Sequence, residues 1–257
     1  MSRAIIAHLG KADPVMKQLI AAAGPYALAA QEQHSPFEAL ARAIAHQQLN
    51  GKAAQSILNR FISSCGQGVF PEPQGLLALE DAALRASGFS FAKIRALRDL
   101  AAKTLSGVVP AREHLHPLSD LQIIERLTAV RGIGCWTVQM LLMFQLRRPD
   151  VLPVDDFGVR EGFRLAYGYR KMPAPKVLAL FGERWAPHRS AAAWFLWRAV
   201  DLARAGKLPP PAEKLRLPRL RKLKRAAASP APPARSGART RVRRPPAPRS
   251  RVPKKKK

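Results

Sequence analysis

Cysteine, acidic residues and long apolar runs are all scarce in this 257-residue chain. The two cysteines, Cys65 and Cys135, have no nearby histidine pair at zinc-ligand spacing, which argues against a zinc finger. Two reduced thiols are typical of a reducing compartment. No apolar run reaches the ~20 residues that span a bilayer, and no secretory signal peptide is visible, so we expect no membrane-spanning segment.

Acidic residues are outnumbered by basic ones, 17 against 44, which gives a formal net charge of +27. Residues 208–257 hold 18 Lys/Arg and one acid, Glu213, whereas residues 1–207 hold 26 Lys/Arg and 16 acids. A surface this basic attracts polyanions. The C-terminal segment is too rich in proline for a basic amphipathic helix, so nucleic acid is a better partner than an anionic membrane.

Helical signals run from Asp13 to about residue 207. DPVMKQLIAAAG has Asp13 as N-cap and proline at the first helical position, and SPFEALARAIAHQQL repeats the device with Ser35 as cap and Glu38 at the capping-box position. Alternating apolar and polar segments long enough for a sheet are missing. The sequence predicts an all-α fold with about nine or ten helices.

The character of the chain changes at about residue 208. Residues 208–257 contain 11 of the 23 prolines and few aromatic or β-branched residues. Such a segment buries too little apolar surface to offset the entropy of ordering, so we expect a disordered tail over 208–257. Its charge favours non-specific contact with phosphates, and a purely solubilising tail is the alternative.

Two glycines interrupt an apolar helical pattern in AVRGIGCWTVQMLL, residues 129–142. We expect an amphipathic helix over Leu121–Val130, a more buried helix from Cys135, and a tight hairpin between them, the whole unit covering about 121–145. Gly132, Ile133 and Gly134 leave the first N–H groups of the second helix, including that of Thr137, free to bind an anion. An ordinary helix end and turn is the alternative reading.

Two adjacent carboxylates, Asp155 and Asp156, follow the hairpin in RPDVLPVDDFGVREGF and precede another helix. One of them is expected to cap that helix. Negative charge near a phosphate-binding hairpin repels DNA, so the second carboxylate suggests chemistry rather than binding alone.

The pattern L-x-x-V-x-G-I-G resembles the helix-hairpin-helix motif that grips DNA phosphate through backbone amides. Five further blocks extend this resemblance in the same order: PFEALARAIAHQQLNGKAA, GFSFAKIRALRDLA, GIGCWTVQMLLMF, RPDVLPVDD and ERWAPHRSAAAWFLWR. Over roughly residues 5–205 the chain therefore resembles DNA-3-methyladenine glycosylase II, the alkylation-repair branch of the helix-hairpin-helix DNA glycosylase superfamily. The resemblance implies two helical lobes (residues 1–207) with the DNA groove between them. It also implies base-excision repair of alkylated purines in double-stranded DNA, by a monomer that is cytoplasmic and nucleoid-associated if bacterial and nuclear if eukaryotic.

The resemblance also implies one catalytic aspartate at the head of the helix after the hairpin. The family pattern P-x-D, with arginine five residues after the acid, fits Pro153, Asp155 and Arg160 and favours Asp155. An ungapped alignment through Asp150 favours Asp156 instead. In this family the hairpin often holds Na⁺ or K⁺, here through the carbonyls of Thr128, Val130 and Ile133.

The base pocket implied by the resemblance contains Trp136, Met140 and Trp197. An electron-rich tryptophan attracts a cationic alkylated base, and methionine adds a polarizable wall. Bifunctional relatives have a Schiff-base lysine at the position of Trp136, and no lysine lies between Lys103 and Lys171. We therefore expect a monofunctional glycosylase, without an iron–sulfur cluster and needing no cofactor.

Duplex opening is expected at Gln48, Leu49 and Asn50, where an apolar side chain at a loop tip can fill the gap left by a flipped nucleotide. A capped helix end with Leu49 in the core is the alternative. Arg189 and Ser190 are expected to hold a phosphate or to support the catalytic acid. The rival hypothesis for the whole chain is a non-catalytic helix-hairpin-helix protein that binds and compacts DNA.

Overall fold

The computed structural model describes residues 2–29, 33–213, 215 and 217, and it confirms the all-α prediction, since this part of the chain contains helices and no strand. Thirteen α-helices and a short 3₁₀ helix, Glu183–Trp185, are present among the described residues. The α-helices are α1 (Ser2–Ala12), α2 (Pro14–Ala23), α3 (Pro36–His46), α4 (Gly51–Gly66), α5 (Pro73–Ala78), α6 (Asp81–Ser87), α7 (Phe91–Leu105), α8 (Arg112–Leu115), α9 (Asp120–Thr128), α10 (Cys135–Phe144), α11 (Phe157–Ala166), α12 (Pro175–Gly182) and α13 (Arg189–Arg204).

The helix count exceeds the nine or ten that the sequence predicts. One reason is that LLALEDAALRASG is divided between two helices, because Leu79 adopts an extended conformation (φ −68°, ψ 143°) after α5. Another is that α1 precedes Asp13, where the predicted helices begin. None of the helices in the described part of the chain is long and apolar enough to cross a membrane.

The helices form two groups that share one continuous core. Helices α1, α2, α11, α12 and α13 pack on one another with the 3₁₀ helix, and α3–α7, α9 and α10 form the second group. The start of α10, in the second group, contacts the first group, because Trp136 Nε1 on α10 donates to Asp156 at the start of α11.

Asp13 fastens the first group of helices from inside. Its fully buried carboxylate accepts the N–H groups of Val15 and Met16 as the predicted helix cap, and also the Tyr167 hydroxyl (2.6 Å) and the Trp185 indole N–H (3.1 Å). Burial, and then the negative charge of Asp13, hold the pKa of Tyr167 well above its ordinary value. One carboxylate therefore joins α2, the end of α11 and the 3₁₀ helix.

Replacing Asp13 with alanine should lower the free energy of unfolding by about 3–5 kcal/mol, because it leaves buried donors without an acceptor. Urea unfolding measures this change. Asp81→Ala is the control: Asp81 forms an ion pair with Arg98 on a half-exposed surface and should cost about 1 kcal/mol or less. Equal effects of the two substitutions would contradict the role assigned to Asp13.

The start of the expected tail packs against the helical body. Leu208, Leu215 and Leu217 are partly buried against the core, Gln18 Nε2 donates to the Pro210 carbonyl at 2.9 Å, and the Tyr169 hydroxyl donates to the Leu215 carbonyl. The described residues between 208 and 217 thus differ from the expected disordered tail, because their leucines pack against the core. Residue 214, residue 216 and everything from 218 onward lie outside the described residues, and the proposed tail falls mainly there.

Candidate active site and nucleic-acid interface

The glycine hairpin joins α9 to α10 and presents backbone at the surface. Gly132 has φ 77°, and a Cβ at this position would lie 3.3 Å from Cβ of Ala96 on α7, so glycine suits both the turn and the close contact. Ile133 is buried and closes the turn by donating its N–H to the Val130 carbonyl at 3.1 Å. Gly134 is the N-cap of α10, and no side chain caps this helix. The start of α10 can therefore offer N–H groups to an anion.

Thr137 presents its backbone, and little of its side chain, at the start of α10. Its side chain is buried (6 % exposed) and lines a cavity between α3 and α10. The backbone N–H of Thr137, in the first turn of α10, is therefore the group suited to a phosphate.

Two α7 side chains, Asp99 and Lys103, form hydrogen bonds with the backbone of the hairpin, and neither was predicted as a site residue from the sequence. Asp99 Oδ2 accepts the backbone N–H of Arg131 at 2.6 Å, and Lys103 Nζ donates to Asp99 Oδ2 at 2.7 Å and to the Ala129 carbonyl at 2.5 Å. Partial burial alone would raise the pKa of Asp99, but the Arg131 N–H and the Lys103 ammonium outweigh it and lower that pKa below its ordinary value. Asp99 is therefore ionised at neutral pH and anchors the turn.

The carbonyls of Thr128, Val130 and Ile133 are the groups that would hold a monovalent cation, and backbone carbonyls are suitable donors for Na⁺ or K⁺. The Val130 carbonyl already accepts one hydrogen bond, from Ile133, and retains a second lone pair. The Lys103 ammonium lies on the neighbouring Ala129 carbonyl. The cation remains a prediction.

Asp156 lies at the centre of a carboxylate–tryptophan cluster. Trp136 Nε1 on α10 donates to Asp156 Oδ2 at 2.8 Å, and Trp197 Nε1 on α13 donates to Asp156 Oδ1, also at 2.8 Å. Oδ1 additionally accepts the Val159 N–H at 2.7 Å, which caps α11. Three N–H donors from three helices therefore fix the orientation of this one carboxylate.

Asp155 has a different environment. Its side chain is exposed, with no side-chain hydrogen bond among the described residues. Partial burial of Cys135, the first residue of α10, raises the pKa of its thiol, and the negative charge of the nearby Asp155 raises it further. The indole N–H groups of Trp136 and Trp197 thus contact Asp156 and not Asp155, the residue that the P-x-D pattern favours. Arg160, the other residue of that pattern, donates to the Pro173 carbonyl.

A glycine makes room for the cluster. A Cβ on Gly158 would lie 2.8 Å from Trp197 Cδ1 and 3.2 Å from Asp156 Oδ1, so a side chain there would displace the indole or the carboxylate. The Trp197 ring stacks on Phe144 with a centroid separation of 6.0 Å and an interplanar angle of 18°. Trp136 remains 46 % exposed, which leaves its ring free to receive a planar ligand.

A cavity of about 440 Å³ opens beside this cluster. Met140 and Phe144 of α10 form part of its wall, and α3 contributes Leu40 and His46. This volume lies within the range of small-molecule pockets. Phe144 lines the cavity and also stacks on Trp197, so this ring lies between the cavity and the carboxylate–tryptophan cluster. Trp136, Asp156 and Trp197 themselves are not among the residues that line it.

Phe157 is a further exposed aromatic that the sequence analysis did not single out. It is the first residue of α11, directly after Asp156, and 66 % of it is exposed. Its signal was available in the sequence as an aromatic residue next to the carboxylate pair. The other two tryptophans serve in packing: Trp185 is fully buried, and Trp194 is partly buried against the core.

The turn between α3 and α4 has the features of a loop tip. Gln48 adopts the left-handed region (φ 57°), which is uncommon outside glycine, and Leu49 is 40 % exposed rather than in the core. Asn50 Oδ1 accepts the Ala53 N–H at 2.8 Å and caps α4, so its oxygen is engaged within the protein. Of these three residues, Leu49 presents the exposed apolar side chain that a wedge needs.

Arg189 and Ser190 support the loop that leads to the aspartate pair. The Arg189 guanidinium makes a two-point ion pair with Asp150 (2.7 and 2.8 Å). Ser190 Oγ accepts the Val151 N–H at 2.9 Å and donates to the Arg148 carbonyl at 2.6 Å. These bonds fasten residues 148–151 to the start of α13, which fits the supporting role better than a phosphate contact.

These features define a class of protein: a helical body with a glycine hairpin whose backbone can offer N–H groups to an anion, a cavity, and one carboxylate held between two tryptophans. Residues 41–187 match the model of the HhH-GPD superfamily base excision DNA repair proteins. The chain belongs to this superfamily, which confirms the resemblance seen in the sequence.

Individual proteins that are similar to this chain include several 3-methyladenine DNA glycosylases. The chain is 43 % identical over 197 residues to DNA-3-methyladenine glycosylase 1 of Schizosaccharomyces pombe, covering 76 % of this chain and 86 % of that protein. A solved S. pombe 3-methyladenine DNA glycosylase in complex with abasic DNA superposes with a TM-score of 0.72 at 42 % identity, covering 77 % of this chain and 97 % of that one. A DNA-3-methyladenine glycosidase of Bacillus halodurans gives a TM-score of 0.71 at 34 % identity, covering 78 % and 91 %.

Proposed function

We propose that this chain is a base-excision repair DNA glycosylase that hydrolyses the N-glycosidic bond of alkylated purines in duplex DNA. The observation that carries the proposal is the Asp156 carboxylate held by the indole N–H groups of Trp136 and Trp197 beside a cavity. Family membership and the 3-methyladenine glycosylases among the relatives support the same activity.

The chemistry follows from the charge of the substrate. A 3-methyladenine or 7-methylguanine base is cationic, so its glycosidic bond is already weakened, and the enzyme must chiefly extract the base and stabilise a cationic sugar. Flipping costs a few kcal/mol, which stacking on Trp136 helps to offset. Asp156 then supplies negative charge at the developing oxocarbenium ion and orients the attacking water.

Asp156 is our choice for the catalytic carboxylate because its oxygens lie against the pocket tryptophans, whereas Asp155 is exposed. The hairpin is proposed to bind a DNA phosphate through the backbone of Gly132, Ile133, Gly134 and Thr137. Leu49 is proposed to be the duplex-opening wedge. Double-stranded DNA is the partner, and the reaction requires no cofactor.

The absence of a lysine at position 136 predicts a monofunctional enzyme, since a Schiff base cannot form there. The test incubates the full chain with duplex DNA carrying one 7-methylguanine and separates the strands with and without alkali. A monofunctional glycosylase yields a strand that breaks only after alkali, and borohydride traps no covalent complex. Strand breakage without alkali, with a trapped complex, would assign a lyase activity to another amine.

The non-catalytic, architectural alternative accounts for fewer of the observations. Gripping a phosphate requires the hairpin, but it requires neither a carboxylate fixed by three N–H donors nor the cavity beside it. The glycosylase reading uses each of these features.

We also propose that the basic C-terminal segment adds phosphate contacts. Residues 218–257 carry 16 Lys/Arg and no acid. Each neutralised phosphate contributes about 0.9 to the slope of log affinity against log salt. Replacing these 16 residues with glutamine should therefore reduce that slope by about 5 or more for undamaged duplex, measured by fluorescence anisotropy in increasing KCl. An unchanged slope would favour the solubilising tail.

A further inference from the structure

The duplex-opening turn and the phosphate-binding hairpin are joined directly, although they are far apart in the sequence. Gln47, the residue after α3, donates its side-chain Nε2–H to the Gly132 carbonyl at 2.8 Å. Gly132 is the first glycine of the hairpin, and Gln47 immediately precedes the strained residue Gln48 and the exposed Leu49. One hydrogen bond thus connects the two segments that are proposed to touch DNA.

Helix α7 supports both segments from the same side. Near its start, Lys93 Nζ donates to the Ala45 carbonyl at 2.8 Å, in the last turn of α3. Further along, Asp99 and Lys103 hold the Arg131 N–H and the Ala129 carbonyl, and Ala96 lies against Gly132. Lys93 therefore bonds to the segment that leads to Gln47, and Lys103 bonds to the segment that leads to Gly132.

We propose that Gln47, together with Lys93, Asp99 and Lys103 of α7, forms a brace that sets the position of the duplex-opening turn relative to the hairpin. Gln47 is then a positioning residue for base flipping. This inference rests on the proposed function. When the hairpin grips a phosphate, the brace fixes where Leu49 enters the duplex, and a wedge misplaced by about 1 Å can lose much of its effect.

The turn that contains Gln48 and Leu49 needs support because its own backbone hydrogen bonds are long and Gln48 adopts an unfavourable backbone conformation. Gln48 is in a conformation that non-glycine residues adopt at a cost, and a residue held there needs support from its surroundings. Leu49 N–H donates to the His46 carbonyl at 3.3 Å, and the Gln47 N–H donates to Ile44 at 3.3 Å, both long for such bonds. The side-chain bonds to Gly132 and Ala45 are shorter, at 2.8 Å.

The test compares Gln47→Ala and Gln47→Glu with the wild-type full chain. Glutamate keeps the shape but cannot donate, and its charge opposes the Gly132 carbonyl. The matched control is Gln18→Glu, because Gln18 also donates its side-chain amide to a distant backbone carbonyl, that of Pro210, away from the proposed site. Flipping is followed by the fluorescence of 2-aminopurine next to a 7-methylguanine, and base release by single-turnover kinetics at saturating enzyme.

The brace predicts a distinctive pattern. The flipping signal and the single-turnover rate constant should fall about fivefold to tenfold in Gln47→Ala and further in Gln47→Glu, as loss of one positioning hydrogen bond implies. The melting temperature and the affinity for undamaged duplex should stay at the wild-type values, as in Gln18→Glu. A merely structural Gln47 would instead lower the melting temperature without a selective loss of flipping.

A second variant tests the α7 end of the brace. Asp99→Asn weakens the hold on Lys103 and on the hairpin, so it should also slow flipping. Combined with Gln47→Ala, its loss should be smaller than the product of the two separate losses, because both act on the position of one hairpin. Fully multiplicative losses would contradict a shared brace.

The outcomes separate this inference from the proposed function. Absence of base release by the wild-type chain would refute the glycosylase, whatever Gln47 does. Normal base release by the wild type, with flipping and rate unchanged in both Gln47 variants, would overturn the brace alone.

Discussion

Replacing Asp156 with asparagine should reduce the single-turnover rate of base release from methylated duplex DNA by about a thousandfold or more. Asparagine preserves the size of the side chain, and its single oxygen can keep the bonds from Trp197 and Val159, but its NH₂ group cannot accept the Trp136 N–H. It also removes the negative charge that stabilises the cationic sugar. Electrostatic groups aimed at a developing charge commonly contribute factors of this size. Affinity for undamaged duplex should stay the same or rise slightly, because one repulsive charge is lost.

Asp155→Asn is the matched control, since it makes the same chemical change one residue away. Asp155 is exposed and receives neither indole N–H, so its variant should release base within about threefold of the wild-type rate. A large loss in Asp155→Asn, with near-normal release by Asp156→Asn, would restore the assignment that the P-x-D pattern favours. Comparable large losses in both would indicate that the pair acts as one unit.

Replacing Gly162 with alanine should cause the largest loss of stability of any glycine-to-alanine change that we consider. A Cβ at this position would lie 1.8 Å from the Leu196 carbonyl oxygen and 2.6 Å from its carbon, both backbone atoms of α13 that no rotamer change can move. Helices α11 and α13 must separate to admit the methyl group, and we expect a loss of about 4 kcal/mol or more, measured by urea unfolding.

The control for Gly162 is Gly51→Ala, at the first position of α4, where a new Cβ meets nothing within 4 Å. There the lower entropy of the unfolded chain should raise stability by up to about 1 kcal/mol. Similar midpoints for the two variants would contradict the close approach of α11 and α13. The contact matters for the site because Asp156 caps the start of α11 and Trp197 lies on α13, and the 2.8 Å bond between these two side chains depends on how the helices pack.

Local signals in the sequence were sufficient for much of the fold. Asp13 followed by proline predicts the start of α2, and the structure places the cap there. The glycines predict the hairpin, and α10 begins at Cys135 as expected. Caps, prolines and glycines act within a few residues, so the sequence alone reveals them. At α3, Ser35 caps as predicted, but Glu38 pairs with Arg42 and His34 instead of closing a capping box.

The remaining features depend on packing between distant segments. Our proposal of Asp156 over Asp155 rests on contacts with Trp136 and Trp197, which lie 20 and 41 residues from Asp156 and on other helices. Asp99 reaches the hairpin across 32 residues, and Gln47 reaches it across 85. Their residue types are common on helix surfaces and at helix ends, so without the tertiary arrangement nothing distinguishes them from solvated side chains.

The measurement that tests the central claim most directly is chromatographic detection of free base released by the wild-type full chain from methylated duplex DNA. The account predicts free 3-methyladenine and 7-methylguanine, with one abasic site formed for each base released and no added cofactor. Tight, salt-sensitive binding to the same duplex without any released base would contradict it, and would leave the hairpin as a grip on phosphate in a non-catalytic DNA-binding protein.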